Sequence, residues 1–432
     1  MLSAKQQNIY PQNIPYRRTK NKINEGHIHM FTILLLSIFL AFIGVGLPDS
    51  VLGAAWPVMY PAFGLSISFA GYISATVSLG TILASLVSAK CIHQLGTGRV
   101  TAISTLLTAV GLFGFSVTPH PAFFFLFAIP LGLGAGAVDT SLNSFVATHY
   151  SAACMSFLHC SYGLGVALSP FIMSLALGDT GKWRRGYCIV ACIQLAITII
   201  SFATLPIWRR IAEKDAEAKT PTPRTLTLPE LVKAPGVVLA CLSFFSICAL
   251  ELTAGGWCST YFVNTKGLPA ARAASVTVLL YLGMTCGRFF SGLVAGKLGR
   301  RRLLRMSLVG LFAALLLFVL PLSLWVAALA LFLLGLSLGP IYPNLMHLTP
   351  KFFGADAAES VIGLEQAVTY IGVMVMPWLF GVLAARFSTA LLPYFLLANF
   401  ALYTICLLSL LAVMQKRKKR LCECEKNTMS NF

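Results

Sequence analysis

The sequence predicts an all-α membrane protein of about twelve transmembrane helices, arranged as two pseudo-symmetric six-helix bundles. Three observations lead there. The chain of 432 residues is 57% hydrophobic and only 11% charged, where soluble domains carry about 25% charged residues. Its apolar runs follow one another almost without pause, each with the roughly 20 residues an α-helix needs to cross a bilayer core. One polar stretch, Trp208–Lys233, divides six of those runs from the other six.

The runs cover 30–57, 65–89, 99–118, 122–147, 155–178 and 187–207 in the first half. Those of the second half cover 236–263, 271–295, 302–321, 323–346, 358–384 and 391–414. None has the strict alternation of a lipid-facing barrel strand, and only helices and closed barrels satisfy their backbone in lipid. The runs are therefore helices. The predicted organisation is a tail (1–29), a first bundle (30–207), a linker (208–235), a second bundle (236–414) and a basic tail (415–432). The linker's charge and its TPTP segment read as a loop with a short surface helix. Pro48 predicts a local break in span 1. Pro340 and Pro343 predict one in span 10, which would turn backbone carbonyls toward a cavity. The first apolar run begins near Met30 and lacks a small-residue cleavage site, so it is not read as a secretory signal.

The net charge of +18 invites a nucleic-acid reading, but the placement of the charges excludes it. With twelve spans alternating sides, both tails, the linker and the loop carrying Arg300, Arg301 and Arg302 fall on one face. Of the 32 Lys and Arg, only Lys182, Arg184, Arg185, Lys266, Arg272 and Arg386 fall on the other, and Arg288 lies at depth. The positive-inside rule then puts both termini and the linker in the cytoplasm. The run Lys416–Arg420 reads as a topology anchor that also attracts anionic headgroups. Most cysteines stand singly in apolar spans as packing residues. Cys422 and Cys424 have no partner pair or histidines at metal spacing, and no metal site is expected. No nucleophile–base spacing, phosphate loop or cofactor motif appears.

The halves repeat. Gly165 and Pro170 in span 5 match Gly372 and Pro377 in span 11 at the same spacing. GLGAGAVD from Gly132 matches GLSLGPIY from Gly335. LGTGR (Leu95–Arg99) occupies the loop that GLVAGKLGRRR (Gly292–Arg302) occupies in the second half. Two parallel six-helix repeats with a midplane site between them describe a family of secondary transporters. The six-plus-six spans, the basic linker and the Gly-rich, Arg-ending loops resemble the major facilitator superfamily. The second loop departs from the family pattern at Gly296, where the family carries Asp, and the first departs at His93 and Gln94. Six stretches are similar to the fucose permease-like group, which includes sodium-dependent glucose transporters. They are GLPDSVLGAAWP, GLGAGAVDTSLN, SFLHCSYGLG, ELTAGGWCSTYF, GMTCGRFFSG and GPIYPNL.

Candidate site residues follow from what is costly in a membrane. Asp49, Asp139, Glu251 and Glu365 lie in apolar spans, where an ionised side chain costs roughly 2.5–3.5 kcal/mol at the helix centre. Asp139 and Asn143 are one turn apart on one face. The resemblance implies a proton and sugar site at Asp139, with Asp in place of a relative's Glu; the competing reading ties Asp139 permanently to Arg288. Asp49, placed toward the outer end of span 1, shares a face with Gly53 and Trp56. A carboxylate beside an indole suits a sugar, hydroxyls to one and C–H face to the other; alternatively Asp49 is solvated at the interface. Glu251, followed by Gly256–Trp257, is the second-half counterpart of Asp49. Glu365 is read either as a cavity residue or as a helix end in cytoplasmic water. Its neighbour Gln366 is the repeat counterpart of His159. His159 and Tyr162 lie at i, i+3, and the histidine is read as a proton relay or as a neutral hydrogen-bonding group. Arg288 is expected to pair with an acid for gating or structure, and Arg300 and Arg301 to serve as loop charges. Asn344 is a possible cavity residue, and Trp257, Tyr261 and Trp378 are either cavity walls or interfacial belts.

The resulting expectation is a monomeric, proton-coupled secondary transporter of a sugar or similar polar solute in the cytoplasmic membrane. Sodium is the alternative coupling ion, and no cofactor or nucleic-acid partner is expected. An exporter of hydrophobic or cationic compounds is the second reading. A non-transporting nutrient sensor is the third, disfavoured because the stretch beyond Met414 is short for an output domain.

Overall fold

The computed structural model describes residues 25–150, 152–180, 182–215, 228–320 and 323–429. The first six long helices are α1 (Glu25–Ala62), α2 (Phe69–Leu95), α3 (Thr97–Val117), α4 (Ala122–His149), α5 (Ala152–Thr180) and α6 (Trp183–Ala203). Two short helices follow, α7 (Leu205–Asp215) and α8 (Leu228–Lys233). The second set is α9 (Val237–Lys266), α10 (Ala270–Leu298), α11 (Arg300–Val319), α12 (Leu324–Leu338), α13 (Ile341–Phe353), α14 (Ala355–Arg386) and α15 (Leu392–Met429). Among the described residues, 12 segments are long and apolar enough to cross a membrane, α12 and α13 together forming one of them. Large apolar side chains such as Leu86 and Val309 point outward, and small or hydroxyl residues such as Ser50 and Thr260 pack inside. Lipid tails are as apolar as leucine, so close backbone approach and hydrogen bonds, not burial of leucine, hold such helices together.

The repeat glycines perform the same task in both halves. A Cβ on Gly132 or Gly136 of α4 would run into the backbone of Val77 or Thr81 on α2. On α12–α13, Gly335 and Gly339 meet the backbone of Leu280 and Met284 on α10 in the same manner. Gly165 on α5 lies against the Ile43 carbonyl of α1, and Gly372 on α14 lies 2.9 Å (from its would-be Cβ) from the Phe245 carbonyl of α9. Hydroxyls add to the α1–α5 seam, where Ser50 donates to the Val166 carbonyl and Ser169 to that of Leu47, each at 2.6 Å.

Several sequence expectations are corrected. α1 runs unbroken through Pro48, Pro57 and Pro61; packing on its neighbours holds the helix where proline removes a hydrogen bond. Span 10 does break, at Gly339–Pro340 between α12 and α13, whereas Pro343 sits inside the first turn of α13, where a missing N–H costs little. The stretch assigned to the linker begins as helix α7, with Trp208 buried against Phe145 at 4.5 Å between ring centroids. Residues 216–227, including the TPTP segment, lie outside the described residues, as do the tail residues 1–24. The last helix does not stop at Met414 but continues as α15 to Met429, since Lys, Arg and Glu are good helix formers.

Candidate functional site

The two halves enclose a cavity of about 260 Å³, lined from both sides. α1 contributes Asp49, α4 contributes Asp139 and Asn143, and α5 contributes His159 and Tyr162. From the other half come Glu251 and Trp257 of α9, Arg288 of α10, Tyr342 of α13, and Gln366 and Tyr370 of α14. Three carboxylates thus share one space with one guanidinium. If all were ionised the cavity would hold excess negative charge, so it is suited to take up protons, a cation or a solute rich in hydroxyl donors.

The groups form four clusters, two of which share Tyr162. Tyr162 donates its hydroxyl to Asp49 Oδ2 at 2.7 Å. Asp139 accepts from Asn143 Nδ2 at 2.9 Å, and from the Tyr370 hydroxyl of the opposite half at 3.3 Å. Arg288, 7% exposed, is 3.4 Å from Glu251, reaches the His159 carbonyl at 3.5 Å and stands 5.3 Å from the Tyr162 ring centroid. Its Nε has no hydrogen-bond partner among the described residues. Arg288 therefore joins the halves: its acid lies on its own side, and its carbonyl and ring contacts lie on the other. Gln366 donates to the Tyr342 hydroxyl at 2.7 Å, and the Trp257 indole N–H donates to the Pro377 carbonyl at 3.0 Å, its buried ring packed on Phe380 at 5.4 Å between centroids. The His159 ring packs between Phe42 and Tyr342, at 6.0 and 6.1 Å between centroids.

Not every residue singled out in the sequence reaches this space. Trp56 is fully buried and gives its indole N–H to the Ile67 carbonyl at 2.9 Å, so it packs the α1–α2 corner and faces no solute. Asn344 turns away to Ser291 and the Pro340 carbonyl, at 2.8 and 2.6 Å, closing the break between α12 and α13. Glu365 is neither in the cavity nor at a wet helix end; it is fully buried against Thr349. Arg300 and Arg301 line a separate basic recess beside Lys351 and Phe352, with Arg301 5.9 Å from the Phe352 ring centroid. Asp49 is not solvated at an interface, and the partner of Arg288 is Glu251, not Asp139. Tyr342 and Tyr370 were missed. Tyr370 stands at i+4 from Gln366, so the face of Gln366 was the available signal.

One end of the cavity is closed. A Cβ on Gly53 of α1 would lie 2.8 Å from the Gly255 and Gly256 carbonyls of α9. Nearby, Tyr60 and Asn264 are bonded across the halves at 3.3–3.4 Å, and Ser275 donates to Ser174 at 2.9 Å. Gly71 of α2 abuts Trp378 of α14. These contacts all lie toward the α1–α2 and α9–α10 loops.

Residues 34–377 match the Major Facilitator Superfamily. The chain belongs to that family. It is an integral, multi-pass membrane protein and a secondary transporter of small solutes. It is similar to a human sodium-dependent glucose transporter, 21% identical over 80% of this chain and 73% of that protein. It is also similar to the Escherichia coli cyanate transport protein CynX, 25% identical over 84% of this chain and 91% of the relative. Among solved structures, the nucleoside transporter NupG superposes with a TM-score of 0.69 at 13% identity, over 88% of this chain and 99% of that one. The facilitator chain thus shares the fold of proteins whose names cover a hexose, a small anion and a nucleoside.

Proposed function

We propose that this transporter moves a sugar or a similarly polyhydroxylated solute by alternating access, coupled to protons, as a member of the fucose permease-like group. The observation that carries the reading is the cavity itself: three carboxylates, three tyrosine hydroxyls (Tyr162, Tyr342 and Tyr370), an asparagine and a glutamine converge there. Carboxylates, amides and tyrosine hydroxyls match sugar hydroxyls. A volume of about 260 Å³ falls just below the usual range of roughly 300–1,000 Å³, which suits a monosaccharide better than a drug-sized compound. Asp139 and Asp49 take the proton, and Arg288, paired with Glu251 on its own side, ties the halves through the His159 carbonyl and the Tyr162 ring. Both termini and the linker face the cytoplasm, the transporter works as a monomer, and the closed end is the outer one, so the conformation is inward-facing.

Screening sugars by thermal shift on purified protein tests the substrate class, because a ligand that binds the native state stabilises it. A hexose at 100 times its Kd should add about 2.7 kcal/mol of stability. No shift with any sugar, together with a shift for small anions or hydrophobic cations, would reject the sugar reading. Uptake into proteoliposomes with and without sodium separates the two coupling ions.

The orientation is tested at Gly53. Leucine there cannot fit against the Gly255–Gly256 backbone and props the outer seam apart. Labelling of Cys248, which lines the cavity, by an impermeant maleimide added outside should rise several-fold in Gly53→Leu, read on the Cys248 peptide by mass spectrometry. Unchanged labelling would contradict an outer seam at α1–α9.

A further inference from the structure

Glu365 is the intramembrane carboxylate that neither lines the cavity nor meets a cation among the described residues. α14 turns Gln366 into the cavity and Glu365 into the seam behind it. In that seam the carboxyl is 0% exposed, and its two oxygens lie 3.0 and 3.1 Å from the Thr349 hydroxyl of α13. The other titratable groups facing it are the Cys241 thiol of α9 and the Tyr342 phenol of α13, neither of them positive. His347, on the same half-helix as Thr349, faces Arg300 and Lys351 instead. Cys241, Val361, Leu231 and Val237 form the apolar cluster of this corner, with Phe353 and Leu364 packed on it.

An ionised carboxylate here would have one hydroxyl donor and no counter-charge, and a buried ion so placed carries a penalty of several kcal/mol. A neutral carboxyl fits the atoms better. Its O–H donates to Thr349 Oγ1, and the Thr349 hydroxyl turns to the Leu345 carbonyl at 3.5 Å. The element it holds is free to respond, because the break at Gly339–Pro340 separates α13 from α12. Two ties therefore join α13 to α14: Tyr342–Gln366 on the cavity side, which a solute can reach, and Thr349–Glu365 on the dry side.

We propose that Glu365 is a second proton-binding site, in the seam between α13 and α14, and that losing its proton to water releases α13 from α14. The assignment does not depend on the solute or on which cavity acid couples transport. Infrared spectroscopy of the full chain in lipid at neutral pH should show a protonated-carboxyl C=O band that is lost in Glu365→Gln and kept in Asp139→Asn. Thr349→Val should move the band's frequency, because the carboxyl loses its hydrogen-bond partner. Alkaline conditions that abolish the band should raise amide hydrogen exchange in residues 341–353, corrected for intrinsic rate, in the wild type and not in Glu365→Gln. A spectrum unchanged by Glu365→Gln, or a band lost with Asp139→Asn instead, would place the proton elsewhere and overturn the proposal. A band unmoved by Thr349→Val would do the same, and that arm stands even if the glutamine variant fails to fold. None of these results bears on sugar uptake, so the transport reading stands or falls separately.

Discussion

Asp139→Asn proteoliposomes should exchange labelled hexose across the membrane but fail to concentrate it. For one proton per solute, each pH unit of gradient is worth about 1.4 kcal/mol and supports roughly tenfold accumulation. The variant should show an inside-to-outside ratio near one under a gradient that drives the wild type to about ten. The reason is local. Asp139 accepts from Asn143 on its own helix and from Tyr370 on the opposite half, so adding or removing its proton alters a contact between the halves. A group contacted from both sides of the cavity has different surroundings in outward- and inward-facing states, and only such differential affinity can couple proton to solute. Asparagine keeps the size and can still accept from Tyr370, so exchange should survive. Full accumulation by Asp139→Asn would remove this residue from the coupling step and move attention to Asp49.

Arg288→Met should be among the most destabilising single changes in the transporter. It strands Glu251 in the cavity wall without its cation, and breaking a buried pair from one side costs about 3–5 kcal/mol. The double variant Arg288→Met with Glu251→Gln removes both charges and should recover most of that loss in a melting experiment in detergent. Arg288→Lys should not rescue, since a point charge cannot face Glu251, the His159 carbonyl and the Tyr162 ring together. Equal destabilisation in the single and double variants would show that the guanidinium's stacking and carbonyl contact across the halves, not its ion pair within the second half, carry its contribution to stability.

How much was legible beforehand differs by residue. Asp49, Asp139, Asn143, Glu251, His159, Tyr162, Trp257, Arg288 and Gln366 all line one cavity; the charged, amide and imidazole groups were legible because a polar group in an apolar run is costly unless it faces something polar, and Tyr162 only through its i, i+3 spacing from His159. The same reasoning could not separate Glu365 and Asn344 from that set. Both are polar and at depth, yet their partners, Thr349 of α13 and Ser291 of α10, lie outside the cavity lining even though Tyr342 and Arg288 of the same helices are part of it. Trp56 misled for a related reason: sharing a face with Asp49 says nothing of what lies opposite, and the α1–α2 corner takes its indole. Tyr342 and Tyr370 passed unnoticed because a tyrosine is cheap in a membrane segment and raises no energetic alarm.

The four carboxylates thus divide along the line between sequence and structure. Composition and span length gave about twelve membrane-spanning helices, and 12 segments among the described residues are long and apolar enough, because hydrocarbon admits only self-satisfied helices of that length. The glycine repeat marked where a neighbour could approach closely, because a missing Cβ is a local property, but that the neighbours are α2 and α10 came from the packing. Pairing is not local. That Arg288 takes Glu251 and not Asp139, that Asp139 reaches Tyr370 across the halves, and that Glu365 lies dry behind the cavity were decided by how the helices pack around one another. An ionisable side chain at depth must find a partner, but that partner lies on another helix, from 16 positions away for Glu365 to 231 for Asp139, and only the packing decides which it is.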